Sequence, residues 1–460
     1  MAESSAPAQT RVLSRADWVA AGREVRTQVP RAALAKLDPH GRDPLGILAR
    51  QDAQRVPELV PLRAERMAAS PFAFYRGTAA IMAADLAREP HTGILVASCG
   101  DAHISNFGFY ASPQRTLMFD LNDFDEAAWA PWEWDLKRLV ASVVIGARGV
   151  RDAAVGERSA RDAVLAYTRA LRAAVAASPL ERYYFHLDPK TTYPGLDASS
   201  RTVLKRAIKD AKRRTGDRAV RKLTAPDAEG RVRFVESPPT TTRAEPEVYP
   251  RMQDAFAQYL ASANVDVRLL LRQYVLRDVV RRVVGVGSVG TRCYLSLLDT
   301  GDDEAFILQV KEAGLSVLEE HGGIAQPEEV RCAVDEGGQG ARVVGMQRIL
   351  QAASDPFLGH LRGGHRDYYV RQFHDMKGGI DTDALEDEAY RDYAVACAVI
   401  LARAHAQSEN AGAIVGYLGR GAGIAESLLQ WADAYAALSE ADYRAFVAAR
   451  GLPAPGPARA

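Results

Sequence analysis

A β-prone block from about Val275 to His374 is flanked by stretches whose apolar residues repeat with helical period, and this limits the folds open to the chain. Residues Trp134–Ala147, Arg161–Ala177, Asp387–Gln407 and Ala422–Ala448 read as helices. Asp17–Ala69 reads as short helices broken at Pro30, Pro39 and Pro57. Short β-prone runs, Ile94–Ser98 and Thr116–Phe119, stand apart from the main block, and the Pro/Thr-rich stretch Glu236–Pro250 reads as a loop. Such an order predicts an α+β protein with a small β-rich lobe inserted into a larger helical one. The expected parts are a helical extension over 1–70, a helical lobe over 71–265, the β-rich lobe over 266–380, a helical return over 381–450 and a disordered tail over 451–460. The first ten residues are also expected to be disordered.

Within the block, Gly285-Val286-Gly287-Ser288-Val289-Gly290 has the pattern G-x-G-x-x-G. A dinucleotide-binding loop of this pattern must open a helix whose N-terminus meets the pyrophosphate. Here Thr291–Leu298 instead alternates and is β-prone, Asp299–Asp302 turns, and a second strand from Ala305 closes on Lys311. Glycine loop, hairpin, then lysine at a strand end is the order found in kinases, where the lysine pairs with the α- and β-phosphates. Gly285, Gly287, Ser288 and Gly290 are therefore the expected phosphate cradle and Lys311 the expected phosphate ligand. Alternation places Ile307, Gln309 and Lys311 on one face of the strand and Phe306, Leu308 and Val310 on the other. Gln309 falls where a small residue usually lies against the adenine, so it would narrow the pocket or move the base. The glutamate that orients such a lysine should come from the next helix; Glu329 is the candidate, with Glu328, Glu319 and Glu320 as rivals. Arg342–Leu350 and Asp367–His374 read as further strands, and Asp375–Gly379 as a hinge. A surface hairpin with a solvated lysine is the plain alternative.

A second constellation lies far upstream. Gly100-Asp101-Ala102-His103-Ile104-Ser105-Asn106 has the spacing G-D-x-H-x-x-N, and Asp123 follows seventeen residues after Asn106. Phosphoryl transfer needs a carboxylate beside the attacking hydroxyl, and an amide oxygen with a second carboxylate to hold Mg²⁺ on the phosphates. Asp101 and His103 are the catalytic candidates, Asp101 as the base. Asn106 and Asp123 are the metal candidates, with Asp120 and Asp125 competing for the role of Asp123. The plain alternative is an acidic turn in which these side chains cap local structure.

This segment resembles the catalytic and metal loops of the aminoglycoside phosphotransferase and choline kinase branch of the kinase-like superfamily. That branch reads H-G-D-x-x-x-x-N, a strand, D-x-D, then a helix beginning with an aspartate, which Asp135 matches; Cys99 stands in place of the histidine. From Pro71 to Gln407 the chain also resembles an uncharacterised bacterial family, domain of unknown function 2252, through Pro71–Gly77, the Gly-Asp loop and Asn122–Glu126. Arg76 falls in the first of these stretches, its role open. The resemblance implies a protein-kinase-like two-lobed fold, ATP as co-substrate with Mg²⁺, and transfer of phosphate to a small hydroxylated molecule. Transfer of AMP to a protein on the same fold, or nucleotide binding without turnover, are the alternatives.

The motif order is inverted relative to that family, whose glycine loop precedes its catalytic loop. The helix ending at Ala406 resembles the one that precedes the catalytic loop, whose strand begins here near Ile94. A circular permutation accounts for both, and is tolerated where the joined points lie close together. It predicts that Ala406 lies near Ile94, and Lys311 within about 15 Å of Asp123, the reach of a triphosphate and two side chains.

Charge and cysteine usage narrow the partners. Net charge is zero, so no global field favours nucleic acid or an anionic membrane. Arg201–Lys222 holds ten Lys or Arg against Asp210 and Asp217, either a solvated helix face or a surface that steers an acidic substrate. Without interleaved aromatics it argues against nucleic-acid binding. The four cysteines are widely spaced and make no C-x-x-C pair, as in reduced cytoplasmic proteins. No apolar run reaches the roughly 18 residues of a spanning helix, and Met1–Ser14 has no apolar stretch. A cytoplasmic protein without a membrane partner is expected. His405, on an apolar helix, is expected to be a satisfied core histidine.

Overall fold

The computed structural model describes residues 12–187, 197–302, 304–373 and 376–453. The disorder expected for the first ten residues, and for the tail beyond residue 453, falls outside the described residues, as do His374 and Asp375 of the expected strand and hinge.

The fold is mixed α+β, mostly helical with a small sheet. Sequence punctuation explains the N-terminal helices. Ser14 and Asp17 form a reciprocal capping box at Arg15–Gln28, and Asp43 caps Pro44–Gln54, where Pro44 occupies the first turn. Two two-stranded ladders follow: β1 (Leu95–Ser98) pairs with β4 (Ala128–Pro131), and β2 (Phe107–Ala111) with β3 (Leu117–Leu121), all antiparallel. They rest on the helices Trp132–Ala147, Asp387–His405 and Ala422–Ala449, whose buried faces share one apolar core. Trp132 is fully buried there, stacked on Tyr167 with ring centroids 5.9 Å apart. Truncating such a side chain to alanine costs about 3–5 kcal/mol.

The basic segment forms the helices Ala198–Lys212 and Gly216–Leu223, and a minor ladder joins β5 (Thr224–Pro226) to β6 (Val232–Phe234). The main sheet contains β7 (Thr241–Arg243), β8 (Val275–Arg282), β9 (Cys293–Asp299), β10 (Ala305–Ala313), β11 (Gly359–Arg362) and β12 (Asp367–Gln372). Its order is β11-β12-β10-β9-β8-β7, every neighbouring pair antiparallel. The alternation read for β10 is present. Leu308 packs with Tyr259 of the helix Met252–Ser262, while Ile307 joins Val280, Leu295 and Leu297 on the opposite face.

Two expectations are corrected. Arg342–Leu350 is not a strand but the end of a helix spanning Glu328–Leu350. Its β-branched residues mask a helical period in which Val343, Met346, Gln347 and Leu350 are all buried. The helix breaks at Gly338 (φ 73°), where the Asp367 carboxylate fills the space a Cβ would need and accepts the Gln339 amide at 2.7 Å. The expected loop Glu236–Pro250 contains β7, whose Thr241 and Thr242 face Arg282 and Arg281 as the edge of the sheet. Among the described residues no helix is long and apolar enough to cross a membrane, and all four cysteines are free.

Candidate active site

The loop between β1 and β2 is built from buried polar groups. Asp135, in the first turn of Trp132–Ala147, accepts the Cys99 amide at 2.7 Å and the Gly100 amide at 2.9 Å. His405 lies 3.2 Å from the same carboxylate through Nε2, while its Nδ1 meets the Tyr167 hydroxyl at 2.7 Å. The expected satisfied core histidine therefore also braces the loop, through Asp135. Gly100 has φ 78°, and a Cβ there would collide with the Glu126 carbonyl, so this turn requires glycine. Ser142 accepts the Ile104 amide, and Tyr393 donates to the Ile104 and Phe107 carbonyls.

Asp101 emerges from this frame paired with Arg138, whose Nε and Nη2 both lie 2.8 Å from its Oδ1. Burial raises the Asp101 pKa against the pull of Arg138. His103 Nε2 is 3.7 Å from Asp101, and burial, then Arg138 and Arg76, holds this imidazole neutral, its pKa well below the ordinary value. Asn106 turns its side-chain amide back to the Asp101 carbonyl at 2.7 Å.

The lysine on β10 reaches this loop system across 186 residues of sequence. Lys311 Nζ donates to Asp125 at 2.6 Å and lies 3.7 Å from Asp123, well inside the expected span. Tyr369 donates to the other Asp125 oxygen at 2.6 Å, so both oxygens of Asp125 are engaged. Asp123 is different: its Oδ1 is buried without a hydrogen-bond partner among the described residues. Burial alone would raise the Asp123 pKa, but Lys311, Lys377 and Arg371 overcome this and bring it down to about 2. Asp120 points elsewhere, accepting the Ala352 amide at 2.8 Å with Arg403 4.0 Å away, and is not part of the cluster.

The glycine loop between β8 and β9 lies over the same cleft. Gly287 and Ser288 line a cavity of about 200 Å³ with Asp101, His103, Asn106 and Asp123. Gly285 and Ser288 line a second cavity, of about 630 Å³, with Asn106, Asp123 and Lys311. Gly290 faces away, packed on Arg55. Arg76, from the helix Pro71–Arg76, lines both cavities, its Nε buried without a partner among the described residues.

Glu329 is not at the site. It lies in the exposed first turn of Glu328–Leu350, before the break at Gly338. The second half of that helix instead presents Arg342, which donates to the Asp125 and Gly314 carbonyls at 2.9 and 2.8 Å and also to the Ala127 carbonyl. Of the rivals, Glu320 lines the smaller cavity and Glu319 lies 3.9 Å from Arg342. Arg138, Arg342, Arg371 and Lys377 were not legible as site residues, because lone cations carry no motif. No group of three or more His, Cys, Asp or Glu among the described residues is disposed to hold a metal ion.

The two sequence ends invoked for a permutation are adjacent. Ser408 accepts the Ala97 amide at 3.0 Å, and Asn410 donates to the Leu95 carbonyl at 2.8 Å. In the expected hinge, Gly378 and Phe109 of β2 exchange two backbone hydrogen bonds of 2.7 and 2.9 Å.

No curated protein and no solved structure matches this chain. A family does match over residues 55–449, from the glycine-loop tether at Arg55 to the end of the last helix, and the chain belongs to it: the bacterial family DUF2252, described as an uncharacterized protein conserved in bacteria.

Proposed function

We propose that this protein is an ATP-dependent phosphotransferase with a circularly permuted, kinase-like arrangement, acting on a small hydroxylated acceptor. The observation that carries the reading is the convergence of Lys311 on Asp123 and Asp125, in a cleft that also holds Asp101, Asn106 and the glycine loop. Glycine loop, strand, strand closing on a lysine, then helix is the order kinase chemistry uses, and the adjacency of Leu95 with Asn410 fits the permuted connection.

In this reading Asp101 accepts the proton of the acceptor hydroxyl. Arg138 fixes its orientation, and its raised pKa brings it nearer the working pH of a general base. Lys311 releases Asp125 to meet phosphate oxygens, and the glycine-loop amides lie over the same cleft. Asn106 and Asp123 would hold Mg²⁺, because Asp123 alone of Asp120, Asp123 and Asp125 keeps a buried oxygen without a hydrogen-bond partner among the described residues. The ion would neutralise phosphate charge. Two protein oxygen ligands suit a cation that arrives with the nucleotide and completes its shell with phosphate and water.

The test is ADP formation from ATP across a panel of hydroxylated metabolites. Acceptor-dependent ADP release with loss in Asp101→Asn supports the proposal. Pyrophosphate release with labelled AMP retained on protein would replace it by AMP transfer. Mg²⁺-ATP binding without either product would replace it by a regulatory nucleotide-binding role.

A further inference from the structure

The larger cavity has a charge pattern that one phosphate-binding lysine does not account for. Six of its lining residues are Lys or Arg and two are Asp. Three of the cations converge on Asp123: Lys311 from β10, Arg371 from β12, and Lys377 from the segment that follows.

The sheet fixes two of them. Gln309 and Arg371 are direct cross-strand partners, and Lys311 pairs with Tyr369, so Arg371 and Lys311 share a face two residues apart in register. Gln309 accepts from Arg371 Nε at 2.9 Å and itself contacts Cys293 Sγ at 3.3 Å, which aims the far end of the guanidinium. Gln309 is 4% exposed, so this orientation is built into the sheet. Lys377 is positioned from the other side, where Met376 donates its amide to the Arg214 carbonyl at 2.9 Å and Gly378 is bonded to β2.

Bringing three cations together in a partly buried site is electrostatically costly unless anions offset the repulsion. The six Lys or Arg against two Asp leave this cavity short of anions: Arg371 and burial press the Lys377 pKa down to about 7, and the buried Arg76 Nε has no hydrogen-bond partner among the described residues. A chain of phosphates supplies several anionic oxygens at short intervals, and charge-assisted bonds to them are the strong ones.

We infer that Lys311, Arg371 and Lys377 form a subsite for a linear chain of two or more phosphates, so that the donor is recognised mainly through its phosphates and not its base. The inference rests on the phosphotransferase reading for the donor's identity, but the subsite itself does not. Gln309, at the position expected to lie against adenine, is committed to Arg371, which turns that part of the cavity toward anions.

The experiment is calorimetric titration of the full-length protein at about 0.15 M salt with inorganic tripolyphosphate, adenosine, ATP and sulfate. Tripolyphosphate should bind, compete with ATP, and bind more tightly than adenosine or sulfate. Arg371→Gln and Lys377→Gln should each weaken tripolyphosphate at least about tenfold, the loss of one charge-assisted contact, with adenosine affinity unchanged. Arg371→Lys should restore part of the affinity, and unchanged thermal melting excludes misfolding as the cause. Absent tripolyphosphate binding, affinity no better than sulfate, or indifference to both substitutions would overturn the subsite. If ATP binds and is consumed while tripolyphosphate does not bind, the subsite falls and the phosphotransferase reading stands. If tripolyphosphate binds in the expected manner while no acceptor elicits ATP consumption, the subsite stands and that reading falls.

Discussion

The Gly100–Asn106 loop and the Gly285–Gly290 loop face one cleft but are held in opposite ways. The first is fastened by buried side chains of the helical core: Asp135, Ser142, Tyr393 and, behind Asp135, His405. The second is fastened from the N-terminal segment, by Arg55 to the Val289 carbonyl, the Val56 amide to the Gly290 carbonyl, and an exposed bond from Arg66 to the Gly285 carbonyl. The loop carrying the proposed base therefore shares the stability of the core. The glycine loop is held by a smaller apolar cluster, in which Val289 packs with Val56, Leu59 and Val283, and its Gly285 end only by the exposed Arg66 bond, so that end is the easier to displace.

Substitutions on the two sides should differ in kind as well as size. The largest effect is expected from Asp101→Asn, which should lower acceptor-dependent ATP consumption by about 10²- to 10⁴-fold while leaving ATP affinity nearly intact. Consumption at the wild-type rate would remove Asp101 from the base role. Asp135→Ala comes next, in stability: it leaves the buried Cys99 amide, the part-buried Gly100 amide and His405 without their partner, at about 1–3 kcal/mol per buried unsatisfied group, and a chemical denaturation midpoint like the wild type would break the contrast between the two loops.

The aspartates give a sharper split. Asp123→Ala should abolish the Mg²⁺ dependence of ATP binding, and should also lower the melting temperature because it removes an anion that Lys311, Lys377 and Arg371 face. Asp120→Ala should leave the Mg²⁺ dependence intact while costing about 1–3 kcal/mol of stability, because it strands the Ala352 amide. Calorimetry with and without Mg²⁺ on both variants distinguishes them, and a swapped outcome would reassign the metal ligand.

Glu126 offers a pH test. Burial pushes its pKa up to about 7, above its ordinary 4.5. A raised folded-state value means the associated stability is complete below about pH 4.5 and is lost as pH rises through about 7. Glu126→Gln, always neutral and still able to accept the Val317 amide, should therefore gain on the wild type by about 1–2 kcal/mol between pH 5 and 8. Parallel melting curves at both pH values would contradict this. The smallest effect belongs to Arg66→Ala, whose bond to Gly285 is exposed: stability should change by under about 0.5 kcal/mol, with only a modest rise in KM for ATP. A large stability loss would mean the glycine loop is as firmly built as its partner.

Much of the frame was legible because local chemistry announces it. Helical apolar period, helix-breaking prolines and alternating strands located most of the helices and β9 and β10, and G-D-x-H-x-x-N with its distant aspartates singled out the loops that meet in the cleft. The failures share one cause. Arg342–Leu350 carries β-branched residues with strand propensity, yet it is helical because Val343, Met346, Gln347 and Leu350 bury one stripe against the core. Glu329 was chosen by its place after Lys311, but Gly338 divides its helix and leaves that glutamate in solvent.

The sequence by itself determined which residue types could do chemistry and the order of the local elements, since spacing, caps and alternation act over a few residues. Tertiary structure decided which aspartate keeps a buried oxygen without a hydrogen bond among the described residues, which is engaged by Lys311 and Tyr369, and which supports Ala352 instead. It also decided that Arg371 and Lys377 would join Lys311, although each lies in a different stretch of chain. Electrostatic interactions depend on distance and burial, and both are set by packing between segments that are remote in sequence.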